Sequence, residues 1–162
     1  MAINWVYPVR GLQATLAVVV LGLMAYVAQW WSSHWRQLSP SEVNFLIFAP
    51  VWTLVAIPAL IVVPWKLPHL ATSMGGKIGL LALEVLTMIY WLAGFIALAV
   101  FLSDRICFGQ VCSVAKAGIV LSAFEWVAMA VTTVFAVLRI LKGGLKGASV
   151  KETKTVEMHQ GV

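Results

Sequence analysis

Two glutamates stand inside stretches that are otherwise apolar, Glu84 within 78–102 and Glu125 within 115–140. A carboxylate at the centre of a membrane helix costs roughly 2.5 to 3.5 kcal/mol on insertion scales unless it is protonated or faces protein or water. Two chemistries could justify that cost: a proton or cation relay, or polar packing between helices. At helical spacing the Glu125 face reads Gly118, Ser122, Glu125, Met129, Thr132 and Ala136, mostly small or polar, with Trp126 beside it. That is the composition of a helix-packing face, and it predicts that Glu125 is protonated or hydrogen-bonded to Ser, Thr, Gln or Trp. The Glu84 face reads Lys77, Leu81, Glu84, Thr87, Trp91 and Phe95, so water or a snorkelling Lys77 is its expected partner. Glu84 lies about 9 Å along its helix from residue 78, whereas Glu125 lies about 22 Å from residue 140. The depths disfavour an acid/base dyad.

The remaining reactive side chains are sparse. His34 and His69 fall in loops at opposite ends of the expected spans and His159 in the tail, too far apart to share a metal. No phosphate loop, nucleophile elbow or His-Glu-x-x-His pattern is present, so neither enzymatic activity nor a cofactor is expected. Cys107 and Cys112 have Cys-x4-Cys spacing in the 103–114 loop. This is neither a redox Cys-x-x-Cys nor, without a second pair, a zinc site, and it favours a structural disulfide.

The elements that must position these residues are membrane spans. Apolar residues make up 62% of the 162 and charged residues 10%, with mean hydropathy +0.95. A soluble domain is about 45–50% apolar and about 25% charged, so bilayer replaces water as the main solvent. Four segments are long and apolar enough to cross, at 12–29, 43–63, 78–102 and 115–140. The expected fold is all-α, an integral membrane four-helix bundle over residues 10–141, with a short cytoplasmic N-terminus at 1–9 and a basic, disordered cytoplasmic tail at 142–162. The first span is read as retained rather than as a cleaved signal, and no lipidation motif is present.

Orientation follows from charge. One side collects Arg10, Lys66, Lys77, Arg139, Lys142, Lys146, Lys151 and Lys154, the other Arg36, Arg105 and Lys116, which places both termini in the cytoplasm. Trp30, Trp31, Trp35 and Trp65 mark span ends as interfacial anchors. Pro64, Pro68, Gly75 and Gly76 punctuate the second turn, and Pro50 and Pro58 lie inside the second span. Small-residue stripes, Gly11, Thr15, Gly22 and Ala25 in the first span and Ala49, Thr53 and Ala56 in the second, predict close helix packing. Lys142, Lys146, Lys151 and Lys154 of the tail face lipid headgroups, and nothing points to nucleic acid.

Arg10-Gly11-Leu12-Gln13 opening the first span, the cysteine-bearing loop, 112–117 as Cys-Ser-Val-Ala-Lys-Ala and 123–126 as Ala-Phe-Glu-Trp together resemble the MARVEL-domain proteins of filamentous fungi and yeasts, over roughly residues 7–142. The resemblance implies a non-enzymatic tetraspan of the plasma membrane or secretory vesicles. Such a protein organises membrane domains or trafficking through lipids (sterol, sphingolipid or anionic lipid) and through integral membrane partners or further copies of itself. It also implies likeness to the non-classical export and eisosome-associated group, and it matches the family's outer cysteine pair to Cys107 and Cys112 and its Glu-Trp to Glu125 and Trp126. Two alternatives stand beside it: an accessory subunit stably bound to a larger membrane enzyme or pump, and a proton-coupled transporter or channel using Glu84 and Glu125.

Overall fold

In the computed structural model the backbone is described for residues 6–35, 38–69, 73–104 and 109–159, and the side chains for all of these except 35 and 143–159. Four helices account for nearly all of it: α1 (Val6–Trp35), α2 (Ser41–Lys66), α3 (Met74–Ser103) and α4 (Gln110–His159). All four have membrane-spanning length and hydropathy, α4 over Gln110–Lys142. The helices run longer than the apolar segments because Trp, Ser and Pro at the flanks continue a helix through the headgroup zone, where hydropathy has already fallen.

Local chemistry sets the helix starts. Pro40 in an extended conformation precedes α2, and Ser39 and Asn44 bridge its first turn, Ser39 Oγ donating to Asn44 Oδ1 and Asn44 Nδ2 to the Ser39 carbonyl. Ser73 caps α3 by accepting a hydrogen bond from Gly76 N–H at 3.1 Å, satisfying one of the free amides of a helix start. Pro64, expected to end the second helix, lies inside it, and Gly75 and Gly76 belong to the first turn of α3.

Contacts join α1 to α2, α2 to α3, α3 to α4 and α1 to α4, so the helices form a closed square with α1 opposite α3 and α2 opposite α4. The buried residues set this arrangement. On α1 they are Arg10, Gln13, Ala17, Val20, Met24 and Val27, and on α3 Glu84, Thr87, Trp91, Gly94 and Leu98. Steps alternating between three and four residues keep one narrow seam facing inward, as in coiled-coil packing. Outward positions are apolar as well, including Val18, Val55, Ile96, Phe124 and Val134, as a hydrocarbon solvent requires.

Two glycines mark where backbones crowd. A Cβ on Gly94 would come within 2.8 Å of Leu46 Cδ2 across the α2–α3 seam, and one on Gly118 would overlap Met24 Cε across the α1–α4 seam. The stripes expected to pack divide accordingly. Ala49, Thr53 and Ala56 are buried, but Gly11, Thr15, Gly22 and Ala25 face outward. The α1 seam is instead the Arg10-to-Val27 series, one helix face away.

Two boundaries differ from expectation. The loop expected at 103–114 is shorter, since α4 starts at Gln110 and places Cys112, buried, in the helix. Helix α4 also continues through His159, where a disordered tail is expected from 142. Lys, Ala, Glu and Met sustain a helix there, and the glycines at 143, 144 and 147 weaken it without the block a proline would impose.

Candidate functional site

Polar side chains from all four helices are buried inside the square. Arg10, in the second turn of α1, is buried at 6% exposure, and its Nη2 donates to Glu84 Oε1 at 2.6 Å. Its Nη1 donates to Gln13 Oε1 at 3.1 Å and lies 3.9 Å from Met129 Sδ on α4. One guanidinium therefore connects α1 to α3 across the diagonal, where the two backbones do not meet, and touches α4 as well. The partner of Glu84 is Arg10, in place of the expected water or Lys77. Arg10 is buried and paired rather than a free span-end charge, so it drops out of the orientation balance. Lys77 is exposed.

A second polar layer joins α2 to α3 reciprocally. Trp52 Nε1 donates to Thr87 Oγ1 at 3.1 Å, and Trp91 Nε1 donates to Thr53 Oγ1 at 2.9 Å. Each threonine hydroxyl in turn donates to a carbonyl of its own helix, Thr53 to Ala49 and Thr87 to Leu83, both at 2.8 Å. Every polar hydrogen of the layer is placed, as hydrocarbon surroundings demand. Tyr90 stands edge-on to Phe45, Phe48 and Trp52 on the same seam.

Glu125 lies fully buried on α4, and the face read for it is the inward one: Gly118, Ser122, Met129 and Thr132 are buried with it and Ala136 is half-buried. The expected hydrogen bond is missing. Neither Glu125 oxygen has a partner among the described residues, nor do Ser122 Oγ, Trp126 Nε1 and Gln13 Nε2. Thr132 donates to the Met129 carbonyl of its own helix at 3.0 Å rather than across the bundle. The Trp126 ring packs on Phe95 of α3, with centroids 6.0 Å apart. Glu84 and Glu125 thus have different surroundings, the first ion-paired and the second without a bond.

Beside the Arg10–Glu84 pair, at the bundle end that holds the start of α1 and the α2–α3 turn, a cavity of about 370 Å³ opens between all four helices. Cys107 lies outside the described residues, and so does the Cys107–Cys112 pairing. Lys142 is exposed, and Lys146, Lys151 and Lys154 lie where the backbone alone is described. Arg10, Gln13, Trp52 and Thr53 are the site residues that sequence reasoning missed as interior partners. The available signal was depth: Arg10 and Glu84 both stand within two turns of the same end.

Among the described residues no three His, Cys, Asp or Glu side chains cluster as a metal site. Four membrane-length helices closed around a largely apolar core that holds a buried ion pair define a polytopic helical membrane protein. The chain belongs to the MARVEL family, whose membrane-associating domain matches residues 4–135. The match includes Arg10, Glu84 and Glu125 and ends before Arg139. MARVEL proteins are membrane-associated and typically non-enzymatic. No match was found among curated proteins or among solved structures.

Proposed function

We propose that this chain is a non-catalytic membrane organiser, a tetraspan that acts through the lipids and integral membrane proteins packed against its exterior. The observation that supports this most is the division of chemistry between inside and outside. The ion pair and the Trp–Thr bonds are spent on joining the chain's own helices, while the outward faces are apolar. A plasma-membrane or secretory-vesicle location, cytoplasmic termini and kinship with the fungal export and eisosome-associated group belong to this proposal. So does a Cys107–Cys112 disulfide on the outer side. The charge balance still favours that orientation after Arg10 is removed from it, because Lys66, Lys77, Arg139 and Lys142 stand at one end of the spans.

Mild-detergent purification followed by mass spectrometry tests the reading against that of an accessory subunit. An organiser is recovered with lipids and substoichiometric proteins, whereas one large partner at fixed stoichiometry would replace it by the subunit. A transporter reading rests on Glu125, a fully buried carboxylate whose oxygens have no partner. Proteoliposomes with an internal pH dye decide it. The organiser predicts no proton flux that Glu125→Gln abolishes, and such a flux would overturn it.

A further inference from the structure

We propose that the cavity at the α2–α3 turn end of the bundle binds the phosphate-bearing headgroup of an anionic membrane lipid, with Lys77 and Arg139 on the phosphate. The proposal deepens the lipid-contact reading above and rests on it.

Three features of the cavity point to this ligand. The first is charge: Arg10, Lys77 and Arg139 line it against one carboxylate, Glu84, and Arg10 holds that carboxylate at 2.6 Å. The four charged side chains of the lining sum to +2. The second is depth. Lys77 immediately precedes the apolar run of α3 and Arg139 stands at the end of that of α4, so the mouth sits at headgroup level. The Arg10–Glu84 floor lies about 10 Å further in, seven residues along α3 from Lys77. The third is the wall, where Ile61, Leu81 and Phe135 present apolar surface to glycerol and the first acyl methylenes. A volume of about 370 Å³ falls within the range of small-molecule sites, roughly 300 to 1,000 Å³. A soluble anion would use the charges but not the wall, and a zwitterionic lipid the wall but not the charges. Basic side chains near a membrane surface attract anionic lipid at roughly 1 kcal/mol each.

The test uses the full chain in nanodiscs of phosphatidylcholine with a minor fraction of phosphatidic acid. Native mass spectrometry reads the preference for phosphatidic acid. Lys77→Gln with Arg139→Gln should lower it about thirtyfold, roughly fivefold per charge. Ala136→Phe, which fills the cavity and leaves the charges, should lower it as well. Lys146→Gln, Lys151→Gln and Lys154→Gln together should keep it. Helicity and the unfolding midpoint are followed for each variant. Lys77 and Arg139 have exposed side chains outside the buried core, and the unfolding midpoint separates loss of a phosphate contact from loss of an internal one. A preference untouched by the two charge substitutions, or abolished by the tail substitutions alone, would overturn the proposal. Absence of any phosphatidic acid preference while the chain still organises lipids around itself overturns this site and not the wider reading. The reverse result overturns the wider reading and leaves the site standing.

Discussion

Arg10 and Glu84 form a buried pair, and buried pairs are asymmetric in their energetics. Removing one partner leaves an uncompensated charge and costs about 3 to 5 kcal/mol, while replacing both by apolar groups of similar volume is often neutral or stabilising. Arg10→Met and Glu84→Leu should therefore each lower the detergent unfolding midpoint sharply, and the double variant should recover most of the loss. Equal losses that simply add would show that the two side chains act independently. Glu125 calls for the opposite expectation. Because its oxygens have no partner, Glu125→Leu removes no bond and should leave the midpoint unchanged or raised, by up to about 2 kcal/mol relative to wild type. A fall larger than that of Glu125→Gln would reveal a polar clamp at this position. From the residues alone the clamp was the natural reading, since Ser122 and Thr132 share the face of Glu125. Facing polar groups need correct distance as well as a common face, and distance is set by neighbouring helices that one helix's sequence does not describe.

Among the elements, the α2–α3 seam has the most specific construction. Trp52 and Trp91 each send an indole N–H to a threonine on the other helix, and Gly94 admits Leu46 between them and the far end. Interhelical hydrogen bonds in membranes average about 0.6 kcal/mol. Trp52→Phe and Trp91→Phe should each cost about that much, with small additional packing losses. Gly94→Ala should cost more, about 1 to 3 kcal/mol, because the new methyl meets both Cδ2 and the Cγ branch point of Leu46, a side chain fully buried with little room to move. Gly118→Ala should cost less, because the flexible tip of Met24 can move aside. Unfolding midpoints of the four variants give the order, and a Gly118→Ala loss equal to that of Gly94→Ala would contradict it.

The helices themselves were legible because twenty consecutive apolar residues admit few other readings, and the four segments at 12–29, 43–63, 78–102 and 115–140 all lie within observed helices. Their ends were not, since Trp30, Trp31 and Pro64 signal an interface or a stop by type yet sit inside helices. Which face of α1 turns inward was equally hidden. Gly11, Thr15, Gly22 and Ala25 form as regular a stripe as Arg10, Gln13, Ala17 and Val20, and hydropathy ranks small residues ahead of a charge for burial. The winning face is the one with a partner: Glu84 lies across the bundle at the depth of Arg10, and pairing outweighs hydropathy where hydrocarbon is the alternative.

At the scale of the whole molecule, the square of helices satisfies its buried ion pair and the Trp52 and Trp91 indoles internally and offers the bilayer an apolar exterior with a basic-lined cavity at one end. Under the function proposed above, a MARVEL domain built this way acts by what it gathers around itself. Energy transfer from labelled protein to labelled lipids, in giant vesicles of mixed sterol, sphingolipid and anionic lipid, measures that gathering directly. Transfer to at least one lipid class should stand well above its share of the mixture. Transfer to every class in proportion to bulk composition would contradict it.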